Sequence, residues 1–100
     1  MKQHIISPKA SQDLSEIIDY FVNINIDAGE DFINKFDKKC KYLANFPNMG
    51  RSYGNIKSDL RGVPLDNYII LYRLINSGIE IVRVVSGYQN LESLFAESDE

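Results

Sequence analysis

The chain has one cysteine, one histidine and no tryptophan among its 100 residues. Because Cys40 is the single cysteine, an internal disulfide is excluded. His4 is the single histidine, so the chain cannot assemble a cluster of cysteines and histidines with metal-ligand spacing. No apolar run approaches the roughly 18 residues of a membrane-spanning helix, and the N-terminus MKQHIISPK lacks the apolar core of a signal peptide. We therefore expect a cytoplasmic protein with no metal, no cofactor and no membrane association.

The net charge is −3 and the pI is about 5.1. Most proteins dedicated to binding nucleic acid are basic, because neutralising phosphates supplies much of their affinity. The region between Lys35 and Arg83 is net basic, but the acidic balance of the whole chain disfavours strong non-specific binding of RNA or DNA. A glycine-rich phosphate loop and a nucleophile elbow are also missing. The length predicts one domain spanning residues 1–100.

The first half of the sequence predicts a short strand and two helices. Residues 2–6 read as a strand, and Ser7-Pro8 opens a helix that we predict over 8–24, with Asp13 on its solvent side. The second helix is predicted to start at a capping box formed by Asp27 and Glu30 and to end at Phe46-Pro47. Its predicted buried stripe consists of Ala28, Phe32, Ile33, Phe36, Cys40 and Leu43. The short connection makes the two helices an antiparallel hairpin, and residues 47–59 are predicted to be loop.

The second half predicts strands between Leu60 and Gln89, where Ile, Val and Tyr are frequent. Residues 76–78 fit a three-residue hairpin turn with its glycine in the left-handed region. That turn sets Leu71 opposite Arg83 and Arg73 opposite Ile81, so both arginines share one face, which Arg61 can join. A short helix over 90–96 follows. The predicted fold is α+β: an N-terminal strand, an antiparallel helix hairpin packed on one face of an antiparallel β-sheet, and a short C-terminal helix.

The three arginines are the principal candidates for function, because a guanidinium recognises carboxylate or phosphate with two parallel hydrogen bonds. An anionic partner docking across their face is one interpretation. The alternative is that each stem lies along the sheet and its head pairs with a surface carboxylate such as Glu80. The strand tyrosines, Tyr68, Tyr72 and Tyr88, suit packing more than chemistry.

Short motifs follow one another in a fixed order along the chain. The first is A-x-x-D-L-x-x-I-x-x-Y from Ala10, and the last is I-x-R-V-x-x-G from Ile81. Between them lie Ala28-Gly29-Glu30-Asp31-Phe32, L-A-x-x-P-x-x-G from Leu43, Leu60-Arg61, and Y-x-I-x-Y-R from Tyr68. No single piece is specific, but the ordered set, which covers nearly the whole chain, resembles the RelE/ParE toxin superfamily of bacterial type II toxin–antitoxin systems.

The resemblance implies a toxin that is held inactive by a cognate antitoxin, whose C-terminal segment wraps it, and that contacts operator DNA only through that antitoxin. It also implies an exposed apolar groove near the sheet and the helix hairpin. RelE-like members cut mRNA on the ribosome with a basic residue set and a C-terminal tyrosine or histidine, whereas ParE-like members poison DNA gyrase.

The sequence departs from the RelE-like pattern. It has Tyr88-Gln89-Asn90 where the ribonucleases carry arginine or lysine, and Phe95 in place of the tyrosine. Phenylalanine cannot transfer a proton, and the acidic net charge disfavours ribosome binding. The residues favour a ParE-like gyrase inhibitor that performs no chemistry and binds its partners through Arg61, Tyr68, Arg73, Arg83 and Tyr88.

Two alternatives remain open at the level of the sequence. One is a metal-independent, ribosome-dependent endoribonuclease that uses Arg61, Arg83 and Tyr88. The other is a degenerate relative that binds its antitoxin and operator DNA but is no longer toxic.

Overall fold

A computed structural model describes residues 3–87 and 90–98 of the chain. The elements follow in the order β1 (Gln3–Ile6), α1 (Pro8–Ile24), α2 (Ile26–Asn45), β2 (Arg51–Ser52), β3 (Arg61–Leu65), β4 (Tyr68–Ile75), β5 (Gly78–Ser86) and α3 (Leu91–Ser98). The predicted α+β architecture is confirmed, and a two-residue strand, β2, lies in the segment that was predicted to be loop throughout. No helix of the described ranges is long and apolar enough to cross a membrane.

The five strands form one sheet in the order β1-β5-β4-β3-β2. The pairs from β2 to β5 are antiparallel, while β1 adds a parallel pair at the β5 edge. The N–H of Ser7, directly after β1, donates to the carbonyl of Ile81 at 3.0 Å. The chain therefore enters α1 beside the middle of β5.

Helix α1 occupies residues 8–24, as predicted, and its start is capped by Ser7, whose Oγ accepts the N–H of Ala10 at 3.0 Å. Ala10 and Ile17 are buried against the sheet. Asp13 lies three residues after the first and four before the second, so it shares their side of the helix. The prediction that Asp13 faces solvent is therefore wrong.

Helix α2 begins at Ile26, and its cap is Asn25, whose Oδ1 accepts the N–H of Ala28 at 2.7 Å. The predicted capping box at Asp27 is wrong. The cap lies two residues earlier, because the connection between the helices is a single residue in extended conformation. Ile33, predicted to be buried, is 43% exposed. Gly29 takes a place on the buried side, where a Cβ would meet the Val22 side chain at 2.6 Å, so α1 and α2 approach closely there.

The core lies on both faces of the sheet. The helix side holds the larger cluster, formed by α1, α2 and the inward side chains of β3, β4 and β5, among them Ile70, Tyr72, Ile79 and Ile81. The opposite side holds a smaller cluster of Leu60, Leu71, Val85 and Phe95, against which Tyr53, Ile56 and Leu91 pack. The second face of the sheet is thus partly covered by the 53–60 loop and by α3.

The β4–β5 hairpin turns at Asn76-Ser77, and Ile75 pairs with Gly78. The predicted pairing of Leu71 with Arg83 is confirmed, but Arg73 pairs with Glu80 instead of Ile81. The turn is one residue shorter than predicted, and a bulge that leaves Val82 unpaired restores the register. Gly78 has a φ of +147°, which is positive as expected but far from the left-handed helical value.

Candidate partner-binding surface

Arg61 does not share a face with Arg73 and Arg83, and the prediction that it can join them is wrong. Arg61 pairs with Tyr72, whose ring lies in the helix-side core, so Arg61 belongs to that side. Arg73 follows Tyr72 in β4 and therefore points to the opposite side. Arg83 pairs with Leu71, which lies on the same side of the sheet as Arg73, but its side chain reaches Asp13 of α1.

Arg83 is bound by Asp13 of α1. Its Nε donates to Asp13 Oδ2 at 2.8 Å, its second terminal nitrogen donates to Oδ1 at 3.0 Å, and the Val84 N–H donates to Oδ2 at 2.9 Å. The two side chains are only 15% and 14% exposed. The hydrogen bonds that Arg83 donates to Asp13 raise the pKa of Arg83, and desolvation opposes them, so the charge of Arg83 is fixed and is neutralised inside the fold.

Arg61, which is half-buried, and Arg73, which is exposed, also have hydrogen-bond partners. Arg61 donates from a terminal nitrogen to the Gly50 carbonyl at 2.7 Å and so helps to hold the loop after α2. Arg73 Nε donates to Glu80 Oε1 at 2.6 Å with half of its side chain in solvent. The pair of Arg73 with Glu80 is the surface ion pair that the sequence analysis gave as the alternative to partner binding.

Tyr68 lines the start of β4 and packs among aromatic rings, with centroid distances of 5.6 Å to Phe32 and 6.2 Å to Phe21. Burial, and to a lesser degree Tyr20, raises the pKa of Tyr68. Tyr88, the fifth predicted site residue, lies outside the described residues. Phe95 is buried in the smaller cluster.

An apolar groove of about 360 Å³ lies between β1 and the helix hairpin. Its walls include Ile6 of β1, Leu14 and Ile18 of α1, and Ile33 and Phe36 of α2, with Asp37 at its rim. Ile6 is 40% exposed although it is part of a strand. A groove near the sheet and the hairpin is what the sequence led us to expect, and apolar surface of this kind is typical of an interaction site.

The groove borders the open edge of the sheet. In the parallel ladder, the N–H groups of Gln3 and Ser7 donate to the carbonyls of Ser77 and Ile81, so the backbone groups of His4 and Ile6 point away from β5. β1 contains no proline, lysine or bulge to block a further strand. The opposite edge is protected by the short β2 and by Pro64 in β3.

Sequence reasoning missed that Asp13 pairs with Arg83 and that Ile33 lines the groove. Asp13 had a signal, since it belongs to the first family motif and lies at helical spacing from two buried residues. Ile33 was assigned to the core because periodicity alone does not distinguish a buried position from an apolar one that lines an open groove.

Comparison with known proteins agrees with this geometry. The family described as ParE toxin of type II toxin–antitoxin system, parDE, matches residues 5–91. A solved structure described as a chromosomal ParDE TA system from P. aeruginosa superimposes with a TM-score of 0.72 at 21% identity, over 86% of this chain and 96% of that chain. The comparison with curated proteins gave no match. The family match spans most of the chain, and the chain therefore belongs to the ParE toxin family of type II toxin–antitoxin systems.

Proposed function

We propose that the chain is a toxin that inhibits DNA gyrase by binding and that cleaves no substrate itself. We choose binding over cleavage because the guanidinium groups of Arg61 and Arg83 already bind other groups of the same chain. A metal-free ribonuclease needs cations directed at the phosphate and groups that move protons. Here Asp13 neutralises Arg83, and a backbone carbonyl holds Arg61.

The nuclease alternative requires two further changes in the molecule. Arg83 would have to leave Asp13, which would strand a carboxylate that is 14% exposed. A proton-transfer group would also be needed where Phe95 is buried as an apolar side chain. Because the nuclease would need both changes, we favour an inhibitor that acts by binding alone.

We propose that the cognate antitoxin neutralises the toxin at the groove between β1 and the helix hairpin. Apolar side chains of an extended antitoxin segment would fill the groove, and its backbone would pair with the outward groups of His4 and Ile6. The net charge of −3 supports contact with operator DNA through the antitoxin alone.

The target is tested by inducing the protein in cells and sampling plasmid supercoiling and mRNA integrity over the same interval. We expect negative supercoiling to be lost while mRNA stays intact, and purified gyrase to be inhibited by the purified protein. Early mRNA cleavage would support the endoribonuclease instead. Unchanged supercoiling together with intact mRNA would indicate a degenerate relative.

The antitoxin surface is tested with Ile33→Asp against a matched control, Ile24→Asp. Both isoleucines are exposed helix residues, 43% and 60%, but only Ile33 lines the groove. With the small protein encoded beside the gene as ligand, calorimetry should show Ile33→Asp binding about 100-fold more weakly, because an apolar contact is replaced by a desolvated charge. Equal weakening by the control would argue against the groove.

A further inference from the structure

A second, smaller cleft of about 290 Å³ lies on the other flank of α1. Glu16 and Tyr20 of α1 form one wall, and Tyr68 of β4 forms the other, with Arg83 and Val84 of β5 at the floor. The volume is at the lower limit of ligand pockets, so the cleft suits one side chain better than a larger molecule. None of its features is used by the binding mode proposed above for the antitoxin.

The charges in this cleft are unbalanced. Asp13 and Arg83 neutralise each other through two hydrogen bonds. Glu16 contributes to the raised pKa of Arg83, so its carboxylate is near the pair, and it has no ion-pair partner of its own among residues 3–87 and 90–98. One negative charge therefore remains in the cleft.

The walls are aromatic and carry polar ends. The hydroxyl groups of Tyr20 and Tyr68 make no hydrogen bond to another residue of the described ranges. Both side chains line the cleft, and Tyr20 contributes to the raised pKa of Tyr68. A neutral phenol accepts a hydrogen bond at its oxygen and attracts a cation at its ring face. Tyr20 is 59% exposed, which leaves the entrance open.

We propose that this cleft binds the guanidinium of an arginine presented by a protein partner. The remaining carboxylate of Glu16 would accept two parallel N–H groups, while the rings of Tyr20 and Tyr68 flank the planar cation. Arginine fits better than lysine, because a guanidinium is flat, weakly hydrated and stacks on aromatic rings, whereas an ammonium is a compact, strongly hydrated charge. The proposal does not depend on which partner carries the arginine or on the gyrase assignment.

The probe is N-acetyl-arginine amide, titrated into the ¹⁵N-labelled protein at constant ionic strength. N-acetyl-citrulline amide is the neutral control of nearly the same shape. We expect saturable shifts of the Ile17 and Val84 amide signals in the millimolar range with arginine, weaker binding with the lysine analogue, and no saturable shift with citrulline.

Variants test which groups bind the probe. Glu16→Gln should weaken binding about tenfold or more by removing the charge, and Tyr20→Leu should weaken it while keeping the apolar volume. Asp19→Asn is the control, because it removes a carboxylate of the same helix that does not line the cleft. The proposal is overturned by equal shifts with citrulline, by equal losses in Glu16→Gln and Asp19→Asn, or by no shift at tens of millimolar arginine amide.

Discussion

Asp13 of α1 and Arg83 of β5, which are 70 residues apart in sequence, form a two-point ion pair that joins the helix layer to the sheet. The same carboxylate also accepts the Val84 N–H, just beyond the bulge in β5. Three donors thus converge on one side chain that is largely shielded from water. Such a pair is costly to break from one side, because the remaining partner keeps its charge in a partly buried place.

We predict that Arg83→Met lowers the free energy of unfolding by about 2–4 kcal/mol, since Met keeps the stem's packing but leaves Asp13 unpaired. The matched control is Arg73→Met. Arg73 also pairs with a carboxylate, but it is 52% exposed, so its loss should cost about 0–1 kcal/mol. Urea denaturation of both variants provides the comparison, and similar losses would show that the Asp13 pair adds no more than a surface contact.

A second prediction concerns Tyr72, whose ring is fully buried while its hydroxyl holds the loop after α2. The hydroxyl donates to the Pro47 carbonyl at 2.7 Å and accepts the Gly50 N–H at 2.8 Å. Tyr72→Phe strands both groups, and we expect a loss of about 2 kcal/mol in unfolding free energy. Tyr68→Phe, in the same strand, removes a hydroxyl without a hydrogen bond to the described residues and should cost less than about 0.5 kcal/mol. If the two variants unfold at the same urea concentration, the loop is held by other contacts.

Gly78 is the next test, because the β1–β5 pair depends on it. Its φ of +147° is unfavourable for any residue with a side chain, and a Cβ there would collide with the Gln3 backbone. We expect Gly78→Ala to cost about 2–4 kcal/mol. Gly54→Ala, where a Cβ would meet only the Ser52 Oγ at 3.5 Å, should change stability by no more than about 0.5 kcal/mol. Hydrogen exchange should show faster exchange of the Ile5 and Ser7 amides in the first variant only.

Local patterns predicted the elements well. The serine cap and Pro8 located the start of α1, and the alternation of Ile, Val and Tyr located β4 and β5. Each of these patterns lies within a few residues of the element that it predicts. The prediction therefore does not depend on which residues pack there from elsewhere in the chain. The family resemblance, which depends on the order of such motifs, was confirmed for the same reason.

The site was harder to predict because it depends on tertiary register. A one-residue difference in the hairpin turn changed the partner of Arg73 from Ile81 to Glu80, and the bulge at Val82 kept Arg83 opposite Leu71. The pairing of Asp13 with Arg83 joins the helix layer to the sheet, and the residue periodicity within α1 or within β5 does not predict it. Sequence reasoning could therefore name the charged residues but not where their charges are neutralised.

The last prediction concerns Cys40, the only cysteine, which is fully buried on α2. Burial, assisted by Asp37, raises its pKa from 9.0 to about 12. Between these values the folded thiol keeps its proton while the unfolded thiol loses it, so the folded chain holds more protons and stability falls as the pH rises from about 9. At pH 10.5 this effect amounts to about 2 kcal/mol relative to neutral pH. Cys40→Ala carries a pH-independent cavity cost but no thiol, so the difference in unfolding free energy between the two proteins should shrink by that amount between pH 8 and 10.5. A constant difference would mean that the thiolate is tolerated in the folded protein, and rapid alkylation of Cys40 in native conditions would indicate the same.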